Sequence, residues 1–442
     1  MKGIGALFLG RRFFIALACV VLSFVAAFFY PALLAPSKLA LLILCAATAA
    51  DAALLFRIPG VTARRIVPEK LSNGDENRVD LRVESSHSFP IAVEIIDELP
   101  VQFQKRDFSL KVRVPPGTGR DLSYTVRPVE RGEYGFGALN VFASTPLGLA
   151  WRRHRFARDV TVPVYPSIIQ MRKYDLFAAS NRLVEAGIKR MRRPGASMEF
   201  DQIRRYISGD DYRKINWKAT ARRGEVMVNQ FRDERSQSVY SVIDMGRAMK
   251  MPFEGMTLLD YAVNAGLVIS NIAIRREDRA GIVAFSSGID SILPASRSHG
   301  QMLRILDLLY RVRTGFQESN YELLCAELSR KIGQRSLLLF FTNFETLSSL
   351  RRNLPYLTML ARRHLVVVIF FLNTELDSLL NSRSESIEEI YIKTIAEKFA
   401  FEKRQIVKEL DRHGIHSILT SPAHLTVNTI NTYLEMKSRG LL

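Results

Sequence analysis

The chain has 442 residues, enough for roughly two to four domains, each able to bury its own core. Lys plus Arg number 62 against 44 Asp plus Glu, a net charge of +18 that favours an anionic partner such as a lipid surface, nucleic acid or an acidic protein face. Three cysteines exclude a disulfide framework and suit a reducing compartment, and 48% apolar residues is high for a soluble protein.

Residues 13–30 (FFIALACVVLSFVAAFFY) carry no charge and are long enough to cross a bilayer. Residues 39–56 (LALLILCAATAADAALLF) form a second apolar run, broken only by Asp51, after the short loop PALLAPSK. Lys2, Arg11 and Arg12 precede the first run, Arg57, Arg64 and Arg65 follow the second, and Lys38 lies between. The distribution predicts a transmembrane hairpin over 1–57 with both ends in the cytoplasm. A cleaved signal peptide has one apolar core, and the second run argues against that reading. Asp51 is expected near the interface or facing the first helix.

Over 58–168 the period changes. VDLRVESS, IAVEIIDELP, FSLKVRVPP, DLSYTVRPV and GALNVFAS alternate apolar with polar residues between Asn-Gly, Pro-Pro-Gly and Arg-Gly turns. The pattern predicts a small all-β, sandwich-like domain, closed by VPVYP (162–166). Nothing in it looks catalytic, and the expected role is a spacer or recognition module close to the membrane.

Residues 169–235 form a basic bridge. Across 151–235 there are 20 Lys plus Arg and 10 Asp plus Glu, so net +10 of the whole +18. Its densest part is 194–231, with a Pro194-Gly195 turn, a Gly209-Asp210-Asp211 turn and Trp217, one of only two tryptophans. Arg204, Arg205, Arg213, Lys214, Lys218, Arg222 and Arg223 are threaded among them. Gly takes positive φ cheaply and Asp bonds back to its own backbone, so Gly-Asp marks a turn. Two readings stay open: arginines pairing with local carboxylates on a solvated surface, or a folded protein–protein surface.

From 236 to 442, short apolar runs alternate with helical patterns. The runs are VYSVID (239–244), GIVAFSS (281–287), SLLLFFTN (336–343), HLVVVIFFLN (364–373) and GIHSILTS (414–421). Helices are predicted at 257–275, 299–312, 319–332, 347–363, within 385–412 and from 424. Continuous apolar strands between helices mean a mostly parallel sheet covered on both faces. Functional loops of such a sheet lie at the carboxyl ends of strands, where Asp244 falls. G-x-x-x-x-G-K-[ST], H-E-x-x-H, C-x-x-C and G-x-S-x-G are all missing, so the chain is expected neither to hydrolyse nucleotides nor to act as an enzyme.

The pattern G-x-S-x-E-F…R-x-Y-x-x-G-D-D-x-R-x-I-N-W-K-A-T-A-R-R-G resembles the signature of the domain of unknown function 58 family. RGEYGFGALNVFASTPLGLAWRR is similar to the family's R-G-x-Y-x-x-G…D-P-x-G-L segment, with Thr145 where Asp is usual. The resemblance implies a membrane hairpin, a β-rich domain, the signature, and a C-terminal α/β domain similar to the von Willebrand factor A fold. That fold's metal site is D-x-S-x-S plus a distant Thr and a distant Asp. Here Asp244 is kept, Gly246 and Ala248 replace the serines, Asn343 or Glu345 stands for the second acid, and Thr314 or Ser319 for the Thr. This makes a poor magnesium site. No cofactor is expected, and Asp244, as a cap or an acceptor for Arg247 or the signature, is the one metal candidate.

The resemblance also implies a partner, a MoxR-type AAA+ ATPase acting on protein complexes or envelope components. The expectation is a non-enzymatic adaptor or scaffold anchored in a bacterial inner membrane, with its soluble domains cytoplasmic. Asp210, Asp211, Arg213, Trp217 and Arg222 are the partner-binding candidates, and Arg152, Arg153 and Arg155 the lipid-facing ones. No specific nucleic acid is expected. The alternatives are a metal-dependent adhesion module and a membrane-tethered lipid or nucleic-acid binder. A structural reading of the signature has Trp217 packing the α/β domain onto the β-rich one.

Overall fold

After a short strand at Leu7–Leu9 come two apolar helices, α1 (Arg11–Phe29) and α2 (Leu34–Phe56), joined by a tight turn at Pro31–Leu33. Both are long and apolar enough to cross a membrane. They pack on each other yet leave large side chains bare, Phe28 at 83% and Leu22 at 67% exposure. The second helix starts earlier than predicted, because Pro36 falls in its first turn, where the missing N–H has no intrahelical bond to lose. Ser37 and Thr48 turn their hydroxyls back to carbonyls one turn earlier, hiding them from apolar surroundings. This computed structural model describes residues 6–57, 60–157, 159–179, 199–208, 210–232, 236–372 and 386–441. The Pro194-Gly195 turn and Gly209 lie outside the described residues. The chain divides into two units, Met1–Tyr165 and Pro166–Leu442.

The first unit continues through short strands. They are β1 (Leu7–Leu9), β2 (Val61–Ile66), β3 (Leu71–Ser72), β4 (Asn77–Ser85), β5 (Ile91–Asp97), β6 (Ser109–Val114), β7 (Gly119–Val126), β8 (Gly132–Phe136), β9 (Leu139–Ser144), β10 (Ala150–Phe156) and β11 (Val160–Tyr165). They form sheets ordered β1-β10-β9-β5-β6, β2-β4-β7 and β3-β11-β8. Alternation decides which face is inside. Val79, Leu81 and Val83 of β4 meet Val93 and Ile95 of β5 and Val141 and Ala143 of β9 in one core. Within it the Arg65 guanidinium donates to Asp97 at 2.5 Å and the Tyr124 hydroxyl to the same carboxylate at 2.6 Å.

Residues assigned to the hairpin also serve this β domain. β1 pairs antiparallel with β10, so the chain adds a sheet edge before it enters α1. Asp51 is fully buried, with its carboxylate spent on the β9–β10 loop. Its carboxylate accepts from the Thr145 hydroxyl and from the amides of Leu149 (3.0 Å) and Ala150 (2.9 Å). Arg12 donates to the Pro146 and Leu147 carbonyls at 2.7 and 3.1 Å. Arg152, expected to face lipid, instead donates to the Leu55 carbonyl at 2.7 Å and covers the Phe56 ring. Arg153 donates to Asn140, and Arg155 lies 4.0 Å from Glu98.

The second unit begins with α3 (Ile168–Ala179), then a hairpin of β12 (Glu199–Arg205) and β13 (Met227–Arg232) enclosing the short α4 (Trp217–Arg223). Its main sheet takes β14 (Ser238–Asp244), β17 (Arg279–Phe285), β18 (Ile289–Ser296), β19 (Leu337–Phe341), β20 (Leu365–Phe371) and β21 (His416–Thr420). A small ribbon of β15 (Pro252–Phe253) and β16 (Met256–Thr257) stands apart from it. The order is β18-β17-β14-β19-β20-β21, parallel throughout except for the antiparallel edge β18. All seven residues of β14 are buried, as a central parallel strand requires. One face is covered by α5 (Leu258–Arg275), α6 (Gln301–Arg311) and α10 (Leu425–Ser438), the other by α7 (Tyr321–Lys331), α8 (Leu347–Ala361) and α9 (Ile387–Arg412). α3 lies on α5, where Asp175 accepts from Asn271 and Arg275.

Candidate functional site

The signature folds as a strand, a turn, a short helix and a returning strand, and its polar residues build that shape. Asp210 takes both prongs of the Arg204 guanidinium at 2.7 and 2.8 Å and the Ile207 amide at 2.9 Å. The Arg204 fork, with that amide, holds the Asp210 carboxyl below the ordinary carboxylate range. Asp211 caps the turn Tyr212–Lys214 by accepting from the Arg213 amide. Asn216 caps α4 through the Ala219 amide and bonds Asn229 across the hairpin. The Thr220 hydroxyl gives its proton to the Asn216 carbonyl and accepts from the Met227 amide. Gly224 ends the helix at φ 71°, a left-handed cap that only glycine adopts cheaply. Arg205 pairs with Glu225.

What the loop does not use points outward. Tyr212 is 68% and Trp217 70% exposed, and Arg213, Lys218, Arg222 and Arg223 are exposed beside them. The five candidates from the sequence therefore divide. Asp210 and Asp211 are engaged inside the loop, whereas Arg213, Trp217 and Arg222 are on its surface. Tyr212, Lys218 and Arg223 share that surface. Asn216 and Thr220, which hold the loop up, were not singled out. Their signal was an Asn immediately before a helical run and a hydroxyl four residues on.

A second constellation lies at the carboxyl end of β14, where strand order reverses between β14 and β19. Asp244 is buried and accepts from the Gly246 amide (2.8 Å), Thr342 (2.7 Å), Tyr321 (3.2 Å) and the Ser319 hydroxyl. Burial raises its pKa against the pull of these donors, and burial raises the Tyr321 phenol as well. Ser319 is thus the distant hydroxyl, while Thr314 donates to the Met245 carbonyl at 2.9 Å. Arg247 pairs with Glu318 rather than Asp244.

These residues do not fit a magnesium ion. The lone pairs of Asp244 are taken up by protein donors. A Cβ at Gly246 would run into the Ser319 hydroxyl, so the site has closed around the missing side chain. Asn343 accepts from the Lys403 ammonium at 2.6 Å, which places a positive charge beside the one ligand position left. Lys403 also donates to the Phe344 carbonyl at 2.6 Å, and burial pushes its pKa down to about 8, with Glu345 pulling the other way. Among the described residues, no three His, Cys, Asp or Glu side chains gather as a metal would need.

Comparison with known proteins gives two kinds of match. Residues 202–382 match the family described as Protein of unknown function DUF58, which confirms the resemblance carried by the signature. The Uncharacterized protein YeaD of Bacillus subtilis (strain 168) is 27% identical over 188 residues, 41% of this chain and 47% of YeaD. The chain thus spans about half the length of that curated relative. Among solved structures, a CARDB domain from Pyrococcus furiosus is similar at TM-score 0.17 and 12% identity, over 24% of this chain and 94% of that one. The ASH / PapD-like domain of human CEP192 is similar at TM-score 0.16 and 11% identity, over 24% of this chain and 84% of that one. Scores this low carry no fold assignment.

Proposed function

We propose that this chain, a carrier of the domain of unknown function 58, is a non-enzymatic membrane-anchored adaptor or scaffold whose signature loop docks a MoxR-type AAA+ ATPase. The observation behind this reading is the division of labour in the loop. Its carboxylates and amides are spent on holding shape, and an aromatic and basic set is left facing out. Aromatic and Arg side chains are the types that dominate interface energetics. A Trp that is 70% exposed is costly to leave in water and useful to a partner.

We read α1 and α2 as spans of a bacterial inner membrane with the rest of the chain cytoplasmic. The bare apolar helices and the Arg residues at 11, 12 and 57 support this. We read the C-terminal sheet as von Willebrand factor A-like. Its support is a central first strand, β14, flanked on one side by the next strand and an antiparallel edge, and on the other by three further parallel strands.

The test is a pull-down from detergent-solubilised membranes with this protein as bait, with and without a non-hydrolysable ATP analogue. Nucleotide-dependent recovery of an AAA+ ATPase, lost in a folded Trp217→Ala variant, is the expected result. Recovery of envelope-synthesis enzymes without an ATPase would make the chain a scaffold of another kind and leave the loop a structural role.

A further inference from the structure

We propose that one end of the β domain is seated in the membrane surface, with Leu147 and the edge strand β1 in the boundary between headgroups and acyl chains. The proposal rests on reading α1 and α2 as membrane spans.

Both helices grip the same loop, Thr145–Ala150. Arg12, in the first turn of α1, donates to the carbonyls of Pro146 and Leu147, and the Gly10 amide donates to the Leu149 carbonyl at 2.8 Å. Asp51 of α2 takes the other side of the loop through Thr145, Leu149 and Ala150. Asp51 precedes the last helical residue, Phe56, by five positions. At 1.5 Å per residue the loop reaches about 7 Å along α2 toward the bilayer centre. The polar layer on each side of the hydrocarbon core is about 5–8 Å thick. A loop clamped at that level lies within it.

The surface chemistry at this end agrees. Leu147 is 56% exposed, and Leu7, Phe8 and Leu9 are 38%, 42% and 43% exposed. β1 is the outer strand of its sheet and carries no charge, Pro or bulge. Bare apolar edges of this kind aggregate in water, so soluble proteins blunt them. In the polar layer, headgroup oxygens and water can take the free backbone groups of such an edge while the upper acyl chains cover its apolar side chains. Arg11 and Arg12, which follow β1 closely in the chain, are exposed, as residues meeting anionic headgroups should be. Continuity with the two spans favours the bilayer over a protein as the occupant.

The experiment uses the full chain in nanodiscs, with Cys19 and Cys45 replaced by Ala and the buried Cys325 retained. Single cysteines at Leu147 and, separately, Phe8 carry an environment-sensitive fluorophore. Val21→Cys, near the middle of α1, and Glu76→Cys, at the far end of β4 from the helices, are the references. The Leu147 and Phe8 labels are expected to shift to the blue. They should lose most of their fluorescence to lipid brominated near the acyl carbonyl, and less to lipid brominated near the chain end. If both labels behave as Glu76→Cys does while Val21→Cys is quenched by deep bromine, the β domain stands clear of the membrane and the proposal is overturned. If Val21→Cys is not quenched by deep bromine, the spans themselves are misread and the proposal falls with them. Two reporter positions keep the result readable should one variant fail to fold.

Discussion

Lys403 shows how one side chain can reset a site. It donates to Asn343, which stands where the proposed von Willebrand factor A-like reading expects a second acid, and to the Phe344 carbonyl. Burial lowers its pKa to about 8 from an ordinary 10.5. Between those values the unfolded chain holds a proton that the folded protein has lost, so stability rises with pH through that window. Below about pH 8 both states are charged and the cost of burying the ammonium is present in full. Denaturant midpoints are expected to climb from about pH 7.5 to pH 10 in the parent relative to Lys403→Met, in which this part of the slope is removed. A slope shared by both proteins would assign the dependence to other groups. Asp244 was legible as an acid closing a β-branched run. Ser319 was one of two candidates for its distant hydroxyl, but Tyr321 and Thr342 were not legible, since they lie 77 and 98 residues away and only the sheet brings them together.

At the scale of the element, the signature loop is a small structure held by its own polar residues. α4 has seven residues, too few to stand alone in water, and depends on its caps. Asn216→Ala removes the cap and the bond to Asn229, at a cost of about 1–2 kcal/mol to the loop. It should speed hydrogen exchange at the Thr220 and Gly224 amides and weaken partner recovery together. Trp217→Ala should leave that exchange and the melting temperature unchanged while abolishing recovery. Equal loosening by both substitutions would return Trp217 to a structural role. The turn signals and the helix start were readable from Gly, Asp and Asn. Which carboxylate met which arginine was not, because Arg204 and Arg205 are equivalent on paper and the hairpin register sends one to Asp210 and the other to Glu225.

At the scale of the first unit, the hairpin is a structural part of the β domain rather than a tether. Asp51→Leu makes α2 more apolar, which on the reading of α2 as a span favours insertion, yet it strips the acceptor from the buried Ala150 amide, the partly buried Leu149 amide and the Thr145 hydroxyl. Each orphaned buried donor costs about 1–3 kcal/mol. Hydrogen exchange at Leu149 and Ala150 is therefore expected to rise by on the order of a hundredfold while membrane insertion is retained. Unchanged protection would mean the loop holds its shape without the helix. Thr145→Asp should loosen it too, by setting a second carboxylate against Asp51.

The sequence by itself determined the local periods: two long uncharged runs, alternating strands with turn residues between them, and apolar strands spaced by helical stripes. These are properties of neighbours along the chain, where side-chain direction follows directly from backbone repeat. It also marked Thr145 as a departure from the family's Asp. Only the tertiary structure decided what the departure meant, because the complementary carboxylate is Asp51, ninety-four residues away. The same holds for β1, which is too short to announce itself and becomes a strand through its pairing with β10. It holds for the site around Asp244 too, whose closing depends on Gly246 leaving room for Ser319. Burial turns such distant pairs into strong interactions by removing the water that would otherwise satisfy each group separately.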